Sequence, residues 1–139
     1  PEGSWLISEL ILDCLSDEVE GVGGLTMGAD PVACALAAVS WQKGRPIPAF
    51  LIRKQPKGHG LKRCVEGRDR LPEGSKVCIV EDTTTTGGSL LEAIEKAEAE
   101  GLVVVQTLTV VDREEGASER LAEAGYHLEA LVRRSDLEA

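Results

Sequence analysis

Residues 77–89 read VCIVEDTTTTGGS, and this stretch decides the fold. Its first four residues, Val77 to Val80, form an unbroken apolar run, as expected of a strand buried on both faces. Two adjacent carboxylates follow, Glu81 and Asp82. Then come Thr83, Thr84, Thr85 and Thr86, the pair Gly87 and Gly88, and Ser89. A helical pattern, SLLEAIEKAEAE, begins at once and is closed by Gly101. A strand, a Thr/Gly loop and a helix in that order bring hydroxyls, free backbone N–H groups and the positive end of the helix dipole together. Those groups suit a phosphate, and the glycines let the backbone approach it closely. Neighbouring carboxylates suit the adjacent hydroxyls of a ribose. The stretch points to a sugar-phosphate site. It is not a Walker A loop, because no Lys follows Gly88 and the spacing differs.

Outward from this stretch, helices and strands alternate. Ser4 reads as the N-cap of a helix running to about residue 15, with Leu6, Ile7, Leu10, Ile11 and Cys14 on its apolar stripe. Residues 20–24 read as a short strand ending in glycines. Asp30 reads as an N-cap with Pro31 at the first helical position, opening an Ala-rich helix over 31–41. A strand is predicted over 47–54 (IPAFLIRK), a loop without periodicity over 56–69, and a turn at 72–74. The central strand is placed at 76–81 and the helix after the loop at 88–100. Residues 102–111 (LVVVQTLTVV) predict a strand at the middle of a covered sheet. A helix over 116–124 and a last strand over 126–132 complete the pattern. Alternation of this kind predicts an α/β fold, a mainly parallel, Rossmann-like sheet flanked by helices with right-handed crossovers. Ligands of such sheets bind beyond the carboxyl ends of the strands. Four polar clusters fall there: Gly23-Gly24, Arg53-Lys54, Glu81-Asp82 and Asp112-Arg113.

With 139 residues the chain is sized for a single domain over 1–139. No apolar run approaches the roughly 20 residues that span a bilayer, and no basic-then-apolar leader is evident. Cys14, Cys34, Cys64 and Cys78 form no C-x-x-C pair and read as buried reduced thiols, which suits a cytoplasmic protein. The net charge of −9 argues against nucleic-acid binding. Yet residues 53–63 (RKQPKGHGLKR) carry five Lys/Arg and no acid, leaving ten basic against 24 acidic residues elsewhere, a net −14. One concentrated basic segment on an acidic chain marks a local polyanion site. His127 reads as a core or edge residue on the last strand. Trp5, Trp41 and Tyr126 read as packing residues.

The 77–89 stretch resembles the 13-residue phosphoribosyl-pyrophosphate signature of the type I phosphoribosyltransferases. Two further segments narrow the resemblance. Arg53, Lys54, Lys57, His59 and Gly60 stand in an R-K-x-x-K-x-H-G pattern similar to the flexible catalytic loop of orotate phosphoribosyltransferases. The D-R-E-E-G string at 112–116 is similar to that family's motif after the next strand, and the resemblance extends to GGLTMGADP at 23–31. The resemblance implies transfer of a phosphoribosyl group from 5-phosphoribosyl 1-diphosphate to orotate, in pyrimidine biosynthesis. It implies that Glu81 and Asp82 hold the donor's ribose hydroxyls and that Thr83, Thr84, Thr85, Thr86, Gly87, Gly88 and Ser89 cradle its 5-phosphate. Arg53, Lys54, Lys57 and His59 close over the diphosphate, with Arg53, Lys57 and His59 as catalytic residues. Thr85 and Arg113 contact orotate, whose carboxylate a guanidinium can grip with two parallel hydrogen bonds. Mg²⁺ is the implied cofactor, held mainly through the donor rather than by a protein ligand set. A homodimer is implied, with the 53–63 loop near the neighbouring site.

Two positions depart from the family pattern. Its members usually carry an N-terminal hood, with a basic residue and aromatics over the orotate, and no residues here match it. Some carry a diphosphate-binding Lys where this chain has Met27. Two other readings stand beside the orotate enzyme. One is a purine-type phosphoribosyltransferase, which would place a carboxylate and an aromatic where Arg113 stands. The other is a non-catalytic regulator that binds the diphosphate donor. Arg113 could instead pair with Glu114 or Glu115 at the surface.

Overall fold

The VCIV run lies in the middle of a six-stranded sheet. The computed structural model describes residues 1–58, 60 and 62–138. The strands are β1 (Gly21–Leu25), β2 (Ala49–Ile52), β3 (Val65–Glu66), β4 (Lys76–Thr84), β5 (Val103–Asp112) and β6 (Leu128–Arg133). The helices are α1 (Glu2–Cys14), α2 (Asp30–Gln42), α3 (Gly88–Ala99), α4 (Ala117–Glu123) and a closing turn α5 (Arg134–Leu137). The sheet order is β3-β2-β1-β4-β5-β6, all parallel except β3 against β2. The expected mainly parallel α/β sheet is therefore present.

Period-two alternation along β4 builds the core. Val77 and Ile79 point into one apolar cluster with Phe50, Ile52, Leu90, Ile94, Ala97 and Leu121, under α3 and α4. Cys78 and Val80 point the other way, onto Ile11, Val22, Ala33, Leu36 and Leu108, under α1 and α2. All four are essentially inaccessible to solvent. Truncating one, such as Ile79, to Ala costs about 2–5 kcal/mol by general precedent.

The structure corrects several boundaries. Helix α1 starts at Glu2, so Ser4 lies inside it and its carbonyl accepts a bond from the Ser8 hydroxyl rather than Ser4 capping the helix. Asp30 is the first helical residue of α2, makes no capping bond, and keeps a buried, unpartnered Oδ1. Strand β2 ends at Ile52, leaving Arg53 and Lys54 beyond it. The short β3 lies inside the span read as loop, where Val65 pairs with Ile52 and Glu66 with Leu51. Two residues carry no period, so β3 had no pattern to show. Strand β6 starts at Leu128, placing Tyr126 and His127 just before it.

All four cysteines are unpaired, but only Cys78 is buried; Cys14 and Cys34 are exposed. Burial pushes the Cys78 thiol strongly up, beyond the range in which it ionises. Trp41 is 72% exposed, against the expectation of packing. The buried stripe of α2 is Ala33, Leu36, Val39 and Ser40, and Cys34 and Trp41, seven residues apart, share the opposite face. Trp5 is partly exposed, with the Lys43 ammonium 5.9 Å from its ring centre. Tyr126 does pack on the core and donates its hydroxyl to Glu98, 2.9 Å away.

Candidate active site

Strand β1 pairs with β2 on one side and β4 on the other, so the winding of the sheet reverses between β1 and β4. That reversal opens a crevice at the carboxyl ends of the two strands. Residues 26–29 after β1 and 85–87 after β4 flank it.

Strand β4 runs three residues further than the sequence suggests. Thr83 pairs with Val111 and Thr84 with Asp112, so Glu81 and Asp82 lie within the strand rather than after it. The ladder holds the acidic pair on rigid backbone. Asp82 is exposed, and its Oδ1 accepts the Thr83 N–H at 2.7 Å. Glu81 is half-buried, and its Oε2 accepts the hydroxyl of buried Thr84 at 3.1 Å. Burial raises the Glu81 carboxyl above its ordinary value. The Thr84 hydrogen bond opposes this, and the Asp82 charge adds to it.

Gly87 is the N-cap of α3, with φ +87°, a left-handed conformation that favours glycine. It also lies against α4: a Cβ there would meet Leu121 at 2.9 Å and Ala117 at 3.2 Å. No side chain caps α3, so the first N–H groups of a 12-residue helix stand at the crevice without a side-chain partner. Thr85, Thr86, Gly88 and Ser89 surround them, with Thr86 and Ser89 exposed.

Arg53, Lys54 and Lys57 are exposed. The Arg53 guanidinium lies 3.7 Å from Glu66. The Arg53 backbone N–H donates to the Cys64 carbonyl at 2.8 Å, pairing the two ends of the basic segment. His59 lies outside the described residues. Two residues that sequence reasoning passed over, Lys96 of α3 and Glu100 at its C-cap, contact the ends of this segment. In the sequence they read as ordinary i,i+4 charges on a helix surface.

Asp112, at the end of β5, is buried and accepts the Glu114 N–H at 2.9 Å, forming a tight turn. That turn forces Glu114 to φ +58° and leaves Arg113 exposed. The Arg113 N–H donates to the Thr84 carbonyl at 2.9 Å, which fixes this turn against the Thr/Gly loop. Its guanidinium lies 3.4 Å from Glu115 with both side chains well exposed, so the surface pairing considered from the sequence does form. Glu114 instead accepts the N–H and hydroxyl of Ser135, tying the turn to α5.

No group of three His, Cys, Asp or Glu is placed to cage a metal among the described residues. Hard cations such as Mg²⁺ take oxygen ligands, commonly one or two carboxylates together with substrate phosphates. Glu81 and Asp82 supply oxygen donors only, and beside a bound phosphate they fit that chemistry. The larger concavities lie elsewhere. One of about 600 Å³ is lined by Trp41, Arg45, Pro46 and Pro48. Another of about 670 Å³ is lined by Arg63, Arg68, Glu98 and Glu100. A loop of backbone donors needs no deep cavity.

Comparison with known proteins places this arrangement. The phosphoribosyl transferase domain family matches residues 7–125. An orotate phosphoribosyltransferase of Bradyrhizobium diazoefficiens is 48% identical over 98% of this chain and 74% of its own length. The crystal structure of Mycobacterium tuberculosis orotate phosphoribosyltransferase with Fe(III) dicitrate superposes with a TM-score of 0.86 at 42% identity, over 98% of this chain and 75% of that one. The same enzyme in complex with 5-phospho-alpha-D-ribosyl 1-diphosphate gives a TM-score of 0.82 at 39% identity, over 98% and 76%. Family match, sequence identity and topology agree, and the chain belongs to the phosphoribosyltransferase family, among the orotate phosphoribosyltransferases.

Proposed function

We propose that this chain transfers the phosphoribosyl group of 5-phosphoribosyl 1-diphosphate to orotate, releasing diphosphate and orotidine 5′-monophosphate. The observation that carries the reading is the bond from the Arg113 N–H to the Thr84 carbonyl. It sets a guanidinium suited to a carboxylated base beside a loop suited to a sugar phosphate.

Each group has a task. Thr85, Thr86, Gly87, Gly88 and Ser89 hold the 5-phosphate at the start of α3, with Thr83 and Thr84 leading into this loop from the end of β4. Glu81 and Asp82 hold the ribose hydroxyls. Thr85 and Arg113 orient orotate. The base nitrogen attacks the anomeric carbon as diphosphate leaves, through an oxocarbenium-like state, with no covalent enzyme intermediate. The cost lies in charge growing on the leaving group. Arg53, Lys54 and Lys57, with His59 as proton donor or hydrogen-bond partner, stabilise it from the basic loop. Glu81 and Asp82 would approach a donor-bound Mg²⁺, which would supply electrostatic stabilisation of the phosphate oxygens. The protein works as a homodimer in which the 53–63 loop serves the neighbouring site, in the cytoplasm. No helix among the described residues is long and apolar enough to cross a membrane.

Absorbance at the orotate band, followed with 5-phosphoribosyl 1-diphosphate and Mg²⁺, tests the reading. Orotate loss that requires both partners supports it. Preference for hypoxanthine or guanine, or donor binding without turnover with any base, would replace it by the purine or regulator reading.

A further inference from the structure

The Thr/Gly loop suits a phosphate, yet its own stretch supplies no cation. Residues 77–89 contain no Lys or Arg, and they carry two carboxylates, Glu81 and Asp82. A helix N-terminus offers about half an elementary charge. A phosphate monoester carries about −1.5 to −2 near pH 7. The loop alone leaves most of that charge unmatched.

A cation reaches the loop from α4. A Cβ on Gly87 would strike Leu121 and Ala117, both buried residues of α4, so that helix is packed directly on the loop. Arg120 lies next to Leu121 and three residues from Ala117, and the same packing carries its side chain to the next glycine. A Cβ added to Gly88 would lie 3.4 Å from Arg120 Nη1 and 3.9 Å from Thr86 Oγ1. Gly88 opens α3 without a positive φ, so its backbone does not require glycine, and both contacts are of ordinary length. What the missing Cβ leaves open is a space edged by a guanidinium nitrogen and a hydroxyl.

The guanidinium is also uncommitted. Arg120 is exposed and enters no ion pair among the described residues, whereas Arg113 is paired with Glu115. Glu123, three residues on in α4, is the ordinary surface partner for such an arginine, and that pair does not form.

We propose that Arg120 binds the 5-phosphate of the donor, and of the nucleotide product, as the cation that the Thr/Gly loop lacks. The proposal rests on the function given above and adds a residue to its donor site. A planar guanidinium can engage two phosphate oxygens at once, while the first N–H groups of α3 and the Thr86 hydroxyl take the remaining lone pairs. The 5-phosphate keeps its charge as diphosphate leaves. Arg120 therefore holds ground state and transition state alike, and its loss falls on the donor KM rather than on kcat.

Ribose 5-phosphate carries this phosphate and no diphosphate, so its calorimetric titration isolates the cradle. Arg120→Met keeps the apolar stem and removes the charge, and Arg120→Lys keeps a charge without the fork. Arg70→Gln controls for the loss of one positive charge: Arg70 is exposed and lines a concavity with Glu20, at the amino end of β1 and away from the crevice. Arg120→Met is expected to bind ribose 5-phosphate at least tenfold more weakly. It should raise the donor KM by a similar factor, with kcat within threefold and the orotate KM within twofold of wild type. Arg120→Lys should fall between Arg120→Met and wild type, and Arg70→Gln should stay within twofold throughout. If Arg120→Met fails to fold, Arg120→Gln takes its place. If ribose 5-phosphate binds wild type too weakly to titrate, the donor KM decides on the same thresholds. Unchanged binding in Arg120→Met overturns the proposal, and so does an equal loss in Arg70→Gln or an Arg120→Lys no better than Arg120→Met. A wild-type chain that binds ribose 5-phosphate through Arg120 without turning over orotate overturns the functional reading and leaves this assignment. Normal orotate turnover with unchanged binding in Arg120→Met does the reverse.

Discussion

A Cβ added to Gly28 would lie 2.8 Å from Asp82 Oδ1, well inside van der Waals contact. The loop after β1 thus rests directly on the Asp82 carboxylate near the end of β4, and that oxygen is the one already accepting the Thr83 N–H. Gly28→Ala must push the Asp82 side chain off this bond. Loss of one such hydrogen bond costs about 0.5–1.5 kcal/mol. The expected outcome is a three- to tenfold weaker affinity for 5-phosphoribosyl 1-diphosphate by calorimetric titration. An unchanged affinity would mean that the placement of Asp82 is irrelevant to donor binding.

Glu81 should trade stability for function. Its carboxyl is held above the ordinary value of 4.5, chiefly by burial. Above pH 4.5 the folded chain binds more protons at this site than the unfolded chain does. The contribution is fully present below that pH and is lost as pH rises through the raised folded value. Glu81→Gln removes the loss, so the variant should melt higher than wild type at pH 7, with the gap closing below pH 4.5. Combined with Asp82→Asn, it should weaken donor binding at least tenfold, about 1.4 kcal/mol, with the fold intact. Melting curves at several pH values and a donor titration check the two halves separately.

Much of this arrangement was legible in the sequence because its signals are local. The apolar run at 77–80, the carboxylate pair and the Thr/Gly loop each announce themselves within a few residues. Other features depend on pairing between distant segments. The extension of β4 through Thr84 is fixed by Val111 and Asp112, and an acidic-threonine string carries no strand signal of its own. The two-residue β3 exists only because β2 offers an edge. Lys96 and Glu100 gain meaning from the loop ends they touch, which no helical periodicity encodes. Trp41 reads as core by composition, yet the stripe opposite it is the one that faces the sheet.

Lys57 is expected to act on the chemical step. It is exposed, so its removal leaves the core untouched. Lys57→Ala should lower turnover at least tenfold, about 1.4 kcal/mol in barrier, with the melting temperature unchanged. If the loop serves the neighbouring site, mixing this subunit with one inactivated by Asp82→Asn should restore part of the activity, since one site in the mixed dimer is then whole. Mixed dimers that stay inactive would assign each loop to its own subunit.

Arg113 should decide which base is accepted. Its guanidinium now lies 3.4 Å from Glu115, with both side chains exposed. Pairs of that kind contribute about 0–1 kcal/mol, so a carboxylated ligand can displace Glu115 at little cost. Once orotate covers the site, the new pair is desolvated, and truncating one partner of such a pair typically costs about 2–5 kcal/mol. Arg113→Ala is therefore expected to raise the orotate KM by at least tenfold. Donor affinity should stay within about twofold, because the backbone bond from residue 113 to Thr84 survives the substitution. Glu115→Gln, which frees the guanidinium, should leave the orotate KM unchanged or lower it. Steady-state kinetics in both substrates separate these effects. Normal orotate kinetics in Arg113→Ala would remove the guanidinium from base recognition and leave the Thr/Gly loop as a site for the donor alone.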